Sequence, residues 1–222
     1  MDTLFLSKTD LFRGIPPEDI ESMLGCLKAA TKTYQRGEFI YREGETITAM
    51  GMVLSGSVSI ENDDIWGNRS ILDQVSAGQV FAENYACLPG EKLMISAVAN
   101  EPTEVLFLST DCMFTVCSHA CGFHNKLIRN MLTIAARKSL SLSRRIMHTS
   151  SKSIRGRLLS YLSFQATQHG CRAFDIPFNR QQLADYLSVD RSAMSNELSK
   201  MQRDGIITVD RNHFVLLQSD HL

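Results

Sequence analysis

Five side chains at helical spacing near the C-terminus are the best candidates for chemistry in this chain. Arg191, Ser192, Ser195, Asn196 and Ser199 carry hydrogen-bond donors and acceptors, and at about 100° per residue they gather on one side of a helix. Opposite them Met194, Leu198 and Met201 fall at i, i+4 and i+7, a stripe that packs inward. An outward polar face on an apolar anchor is what reading base edges in a DNA major groove requires. A second cluster is Cys112, Cys117 and Cys121 with His119 and His124, dense enough in thiols and imidazoles for redox, metal or haem chemistry. Ordinary buried thiols are the simpler reading, and no cofactor or metal is expected there. Catalysis is not expected either. No glycine-rich phosphate loop, His-Glu-x-x-His or nucleophile elbow occurs, and Cys117 beside His119 is too slight a pairing for nucleophilic attack.

The elements that must hold the polar face stand around it. Asn179 caps a first helix, with Gln182 three residues on to return the bond, and Leu183, Ala184 and Leu187 form its apolar stripe. Ser188-Val189 breaks it, and Asp190 is a fresh N-cap. This is a helix-turn-helix. After it, 205–209, Asp210-Arg211-Asn212 and 213–217 read as strand, turn and strand, a wing with Arg211 at its tip to touch phosphate; an ordinary exposed turn is the alternative. Before it, residues 154–168 read as a helix, and 149–153, Thr-Ser-Ser-Lys-Ser, as a hinge. A long helix over 124–148 carries Ile128, Leu132, Ala135, Ser139, Leu142 and Ile146 at 4-3-4-3-4 spacing, a coiled-coil seam that predicts a parallel homodimer. The same stripe could instead pack on its own β-domain.

Residues 1–30 read as local helical packing. From Thr33 to about Ser109 the chain turns to short β-rich runs punctuated by glycines at 37, 44, 56, 67 and 78, spacing that suits a jelly roll or barrel able to enclose a small ligand. The fold class is therefore α+β: a β-roll, a long helix and a winged helix-turn-helix. Charge divides along the same line. Residues 1–125 hold 8 Lys and Arg against 17 Asp and Glu, a balance of −9, whereas 126–222 hold 15 against 7, a balance of +8. The basic half can replace phosphate counterions, and the acidic half is repelled by DNA. No apolar run is long enough for a membrane span and no signal peptide opens the chain, so a cytoplasmic protein with free thiols is expected.

This order resembles the cyclic-AMP receptor protein / fumarate-nitrate regulator (CRP/FNR) family of bacterial transcription factors. The likeness is carried by Gly78-Gln79-Val80-Phe81-Ala82-Glu83, Ile95-Ser96-Ala97, and Arg180-Gln181-Gln182-Leu183-Ala184 leading to Asp190-Arg191-Ser192. It implies a cyclic-nucleotide-binding-type sensor over 1–123, a dimerisation helix over 124–148, a hinge over 149–153 and a DNA-binding domain over 154–222. It also implies a near-palindromic double-stranded DNA site, a small-molecule effector near the long helices, and RNA polymerase as a partner. Arg180, Arg191, Ser192, Ser195, Asn196, Ser199 and Arg211 are the expected DNA contacts; Phe81, Glu83, Ile95, Ser96, Leu142 and Ser143 are the expected effector pocket.

Departures from the family pattern narrow the signal. Cyclic-AMP binders show Arg-Ser-Ala where this chain has Ile95-Ser96-Ala97, and a phosphate buried without a cation is strongly disfavoured. No meaningful cyclic-AMP binding is expected. The iron-sulfur members use a group of N-terminal cysteines, and Cys26 stands alone in the first 80 residues, so no cluster is expected. An effector-independent, thiol-redox or metal-sensing regulator, or a ligand-binding module without DNA recognition, are the alternatives. Ser192 and Asn196 stand where relatives present Glu and a later Arg, which predicts a different, more A·T-rich half-site.

Overall fold

The computed structural model describes residues 1–63, 66, 69–114 and 122–217. The chain forms two compact units, Met1–Ala136 and Arg137–Leu222. The first opens with α1 (Thr3–Ser7) and α2 (Pro17–Cys26). Pro17 begins α2 with Glu18 and Asp19 in its first turn, where a missing N–H costs nothing and negative charge meets the helix dipole. Ile20, Met23 and Leu24 are its buried face.

Among the described residues eight strands follow: β1 (Ala30–Tyr34), β2 (Phe39–Tyr41), β3 (Ala49–Ser55), β4 (Ser57–Asp63), β5 (Arg69–Ser76), β6 (Val80–Phe81), β7 (Ser96–Ala99) and β8 (Thr103–Ser109). A short α3 (Glu83–Ala86) separates β6 from β7, and α4 (Thr110–Phe114) follows β8. The pairings nest: β1 with β8, β2 with β7, β3 with β6 and β4 with β5, all antiparallel. Such nesting is a long hairpin rolled up, the jelly-roll plan. Two four-stranded sheets result, ordered β1-β8-β3-β6 and β2-β7-β4-β5. Tyr34, Val53, Phe81 and Val105 of one sheet and Ile40, Val58, Val75 and Ala97 of the other form one buried cluster, so the sheets face each other across it. The strands start at Ala30, earlier than the run read from Thr33, because β1 pairs along its full length with β8 despite its polar composition. Helix α4 carries Cys112 and ends at Phe114; Cys117, His119, Cys121 and the turn glycine Gly67 lie outside the described residues.

Helix α5 (Gly122–Thr149) is longer at both ends than the helix read over 124–148, and the division between the units falls inside it. In the first unit Leu127 and Met131 are buried with Leu11 and Phe12, and the Asn130 amide donates to the carbonyls of Leu11 at 2.8 Å and Arg13 at 3.0 Å. That bolts this part of α5 to the N-terminal segment. Among the described residues no helix is long and apolar enough to cross a membrane.

The second unit continues with α6 (Ile154–His169), β9 (Ala173–Asp175), α7 (Arg180–Leu187), α8 (Arg191–Arg203), β10 (Ile207–Asp210) and β11 (His213–Leu216). The three strands form one antiparallel sheet ordered β10-β11-β9. Leu158 and Leu162 of α6, Leu183 and Leu187 of α7, Met194, Leu198 and Met201 of α8, and Ile207 and Phe214 of the hairpin share one core. Burial of each large apolar side chain stabilises such a core by about 1.5–3 kcal/mol.

Ala82 adopts φ +59° as the N-cap of α3. A Cβ in that left-handed region is strained by about 1–2 kcal/mol, partly offset because glycine is freer in the unfolded chain. Ala82→Gly is therefore expected to stabilise the first unit by about 0.5–1 kcal/mol, read as a raised denaturation midpoint; a lowered midpoint would contradict the strain.

Candidate nucleic-acid interface

The helix-turn-helix forms as its local sequence requires. Asn179 accepts from the Gln182 amide at 2.9 Å and the Gln182 side chain accepts from the Asn179 amide at 2.9 Å, a closed capping box that starts α7. Ser188 ends α7 at φ +53°, and Asp190 restarts the chain as N-cap of α8, accepting from the Ala193 amide at 2.8 Å. The Ser192 hydroxyl also donates to Asp190, and these bonds hold its carboxyl below the usual carboxylate range. Met194, Leu198 and Met201 are buried, and Arg191, Ser192, Asn196 and Ser199 are exposed, with Ser195 half-buried beside them.

Within that face the side chains are not equivalent. Ser195 donates to the Arg191 carbonyl at 2.9 Å and Ser199 to the Ser195 carbonyl at 3.0 Å, the back-bonding that serines make on helices. With Ser192 on Asp190, all three hydroxyls have their protons engaged and offer only acceptor lone pairs. Arg191 and Asn196 have no side-chain hydrogen bond among the described residues. They are the outward donors of this face.

Arg180, in the first turn of α7, is half-buried, with its guanidinium 5.5 Å from the centre of the Phe214 ring and its pKa lowered by burial. Arg211 is exposed at the first loop position of the β10–β11 hairpin, with φ +54°. A cleft of about 480 Å³ connects the two, lined by Phe178, Asn179, Arg180, Gln182, Arg211 and Asn212 among others. Two guanidinium groups and the amide end of α7 border it, an arrangement that favours an anion such as a backbone phosphate.

The turn between α7 and α8 is fixed from behind. The Arg145 guanidinium, from α5, donates to the carbonyls of Tyr186 and Asp185, both at 3.2 Å. Arg157, from α6, donates to those of Leu187 at 3.0 Å and Ser188 at 2.8 Å, and to Ser151 at 2.8 Å. The segment read as a hinge over 149–153 is thus tied at Ser151 to α6. His148 is 1% exposed, packed against Tyr161, Phe164 and Tyr186, with its Nδ1 2.9 Å from the Tyr186 hydroxyl and, among the described residues, no hydrogen bond at Nε2. Nothing in the sequence pattern singled out Arg145, Arg157 or His148 for this work.

Of the expected effector-pocket residues, Phe81 and Glu83 are buried in the first unit, and Ile95 and Ser96 are half-buried there. Ile95 packs against the helix-side core, and Ser96 accepts from the Glu43 amide at 3.1 Å. Leu142 and Ser143 are exposed on α5 in the second unit. On the coiled-coil stripe Leu132, Leu142 and Ile146 are 68%, 59% and 68% exposed, Ser139 is exposed, and Ile128 and Ala135 are half-buried.

A jelly-roll unit and a winged helix-turn-helix in one chain define a class, the two-domain DNA-binding regulators. The cyclic nucleotide-binding domain model matches residues 31–120 and the Crp-like helix-turn-helix domain model matches residues 156–222. The chain is 24% identical over 208 residues to the cyclic AMP receptor protein of Thermus thermophilus, covering 89% of this chain and 87% of that one. It is 21% identical over 196 residues to electron transport regulator A of Shewanella oneidensis, covering 86% and 76%. A solved structure of CprK complexed with OCPA superposes with a TM-score of 0.62 at 18% identity, over 88% of this chain and 89% of that chain. The chain belongs to the CRP/FNR family of transcription regulators.

Acidification reads out the packing of His148. Burial, and then the charge of Arg144, lower its pKa below the ordinary 6.5. Arg145 from the same helix and the phenols of Tyr161 and Tyr186 complete its surroundings, and burial raises both phenols. The folded state thus binds this proton less well than the unfolded chain. Its contribution is whole above pH 6.5 and is lost as pH falls through the lowered folded value. The melting temperature of the second unit should drop on going from pH 7.5 to 5.5, and His148→Phe should flatten that slope; an unchanged slope would refute the assignment.

Proposed function

We propose that this chain is a homodimeric, sequence-specific DNA-binding transcription regulator whose β-roll answers a small molecule other than cyclic AMP. The carrying observation is α8: a helix anchored by three buried side chains, with Arg191 and Asn196 outward and unbonded among the described residues, in the basic half of the chain. Arg191 and Asn196 read base edges, the serine oxygens accept at the same face, and Arg180 and Arg211 take backbone phosphates beside α7. The exposed leucine and isoleucine stripe of α5 supports a second copy as its cover, because an apolar seam at heptad spacing is closed by another such helix. Two copies related by a two-fold axis call for a two-fold related DNA site.

Ile95 carries the effector reading. Its side chain packs into the core where a cyclic phosphate would need a cation, and the neighbouring Ser96 hydroxyl already accepts from Glu43.

Site selection from random DNA with the full chain should return an inverted repeat whose binding weakens steeply as salt rises. An asymmetric site would refute the dimer, and no preferred site would refute DNA recognition. Asn196→Ala should relax one base position per half-site at a cost of about 1–3 kcal/mol. Calorimetry with cyclic AMP should register no binding at micromolar concentrations; a micromolar Kd would overturn the effector assignment.

A further inference from the structure

Glu197 lies on α8 next to Asn196, and its role follows from what grips it. Arg155, in the first turn of α6, donates through Nε to Glu197 at 2.6 Å and through Nη2 to Asp204 at 2.7 Å. Glu197 and Asp204 are seven residues apart, two turns of one helix face, and Asp204 is the C-cap of α8. One planar guanidinium therefore holds α8 at two points along its length. Only arginine has the rigid fork for this; lysine carries a single point charge. Lys200 adds a longer contact to Glu197, at 3.8 Å.

The apolar side of α8 cannot do the same work. Two of its three buried residues, Met194 and Met201, are unbranched and adaptable, so the core tolerates small rotations of the helix about its axis. Base readout does not. A side-chain tip about 6 Å from a helix axis moves roughly 1 Å for a roll of about 10°, which is enough to break a hydrogen bond of about 2.9 Å. The fork limits that roll and ties α8 to the start of α6, beside the segment that Arg157 holds through Ser151.

We propose that Glu197, gripped with Asp204 by Arg155, is a specificity-determining positioning residue: it sets the roll of α8 and hence which base edges Asn196 and Arg191 meet, without itself touching DNA. This rests on the reading of the chain as a sequence-specific regulator.

The test is the ratio of affinities of the full chain for its selected site and for a scrambled duplex, at one fixed salt concentration. A partly unfolded preparation weakens both affinities alike, so the ratio reports positioning rather than stability. Glu197→Gln removes one negative charge near the DNA. If that charge merely repelled phosphate, both affinities would tighten together and the ratio would stand. Arg155→Lys keeps the net charge and loses the fork. Both variants are expected to lower the ratio by roughly tenfold or more, about the effect of one mismatched base pair, with affinity for the scrambled duplex unchanged in Arg155→Lys and unchanged or tighter in Glu197→Gln. A wild-type ratio in either variant overturns the inference. A wild-type chain with no preferred site overturns the DNA-regulator reading and this inference with it.

Discussion

The end of α7 is the constraint on which the DNA-binding unit depends. A helix that stops inside a tight turn leaves carbonyls without amide partners, and these would be costly if left unpaired beside a packed core. Here the carbonyls of Tyr186, Leu187 and Ser188 are met by guanidinium groups, Arg145 from α5 and Arg157 from α6, and Arg145 adds a second donor to the Asp185 carbonyl, which already accepts from the Ser188 amide at 3.2 Å. Two cations at the negative end of α7 also oppose its dipole. The turn is thereby locked to two other helices, and the direction in which α8 leaves the turn is set by that lock.

The remaining features of the second unit extend it. His148, one turn beyond Arg145, places its ring among Tyr161, Phe164 and Tyr186, so the last turns of α5 are packed with the helix-turn-helix as well as hydrogen-bonded to it. Arg155, two residues before Arg157, grips the far face of α8. Three arginines and one histidine thus define where the reading helix lies, while the apolar core supplies most of the stabilisation and less of the orientation. Arg191 and Asn196 are left outward because everything behind them is already bonded.

In the first unit the governing constraint is the nesting of strand pairs, which brings Tyr34 of β1 and Phe81 of β6 into one cluster with Ile40 of β2 and Val75 of β5. Gly51 shows how tightly that cluster is filled: a Cβ there would fall 2.3 Å from the Phe81 ring. The membership of the chain in the CRP/FNR family follows from this unit together with the winged helix-turn-helix, and the proposed effector reading rests on Ile95 and Ser96.

Sequence alone determined the features that are local. The Asn179–Gln182 capping box, the Ser188 break, the Asp190 cap, the Met194–Leu198–Met201 stripe and the β10–β11 hairpin each depend on residues within a few positions of one another, and spacing and side-chain type suffice to specify them. Tertiary structure decided the rest. Arg145 bonds carbonyls about forty residues away, and Arg155 and Glu197 have no relation in the sequence and meet only because α6 and α8 pack together. The order of strands in the two sheets was likewise hidden, because alternation marks a strand without naming its partner. Long-range pairing is chosen by the burial of the whole chain at once, and no window of the sequence contains it.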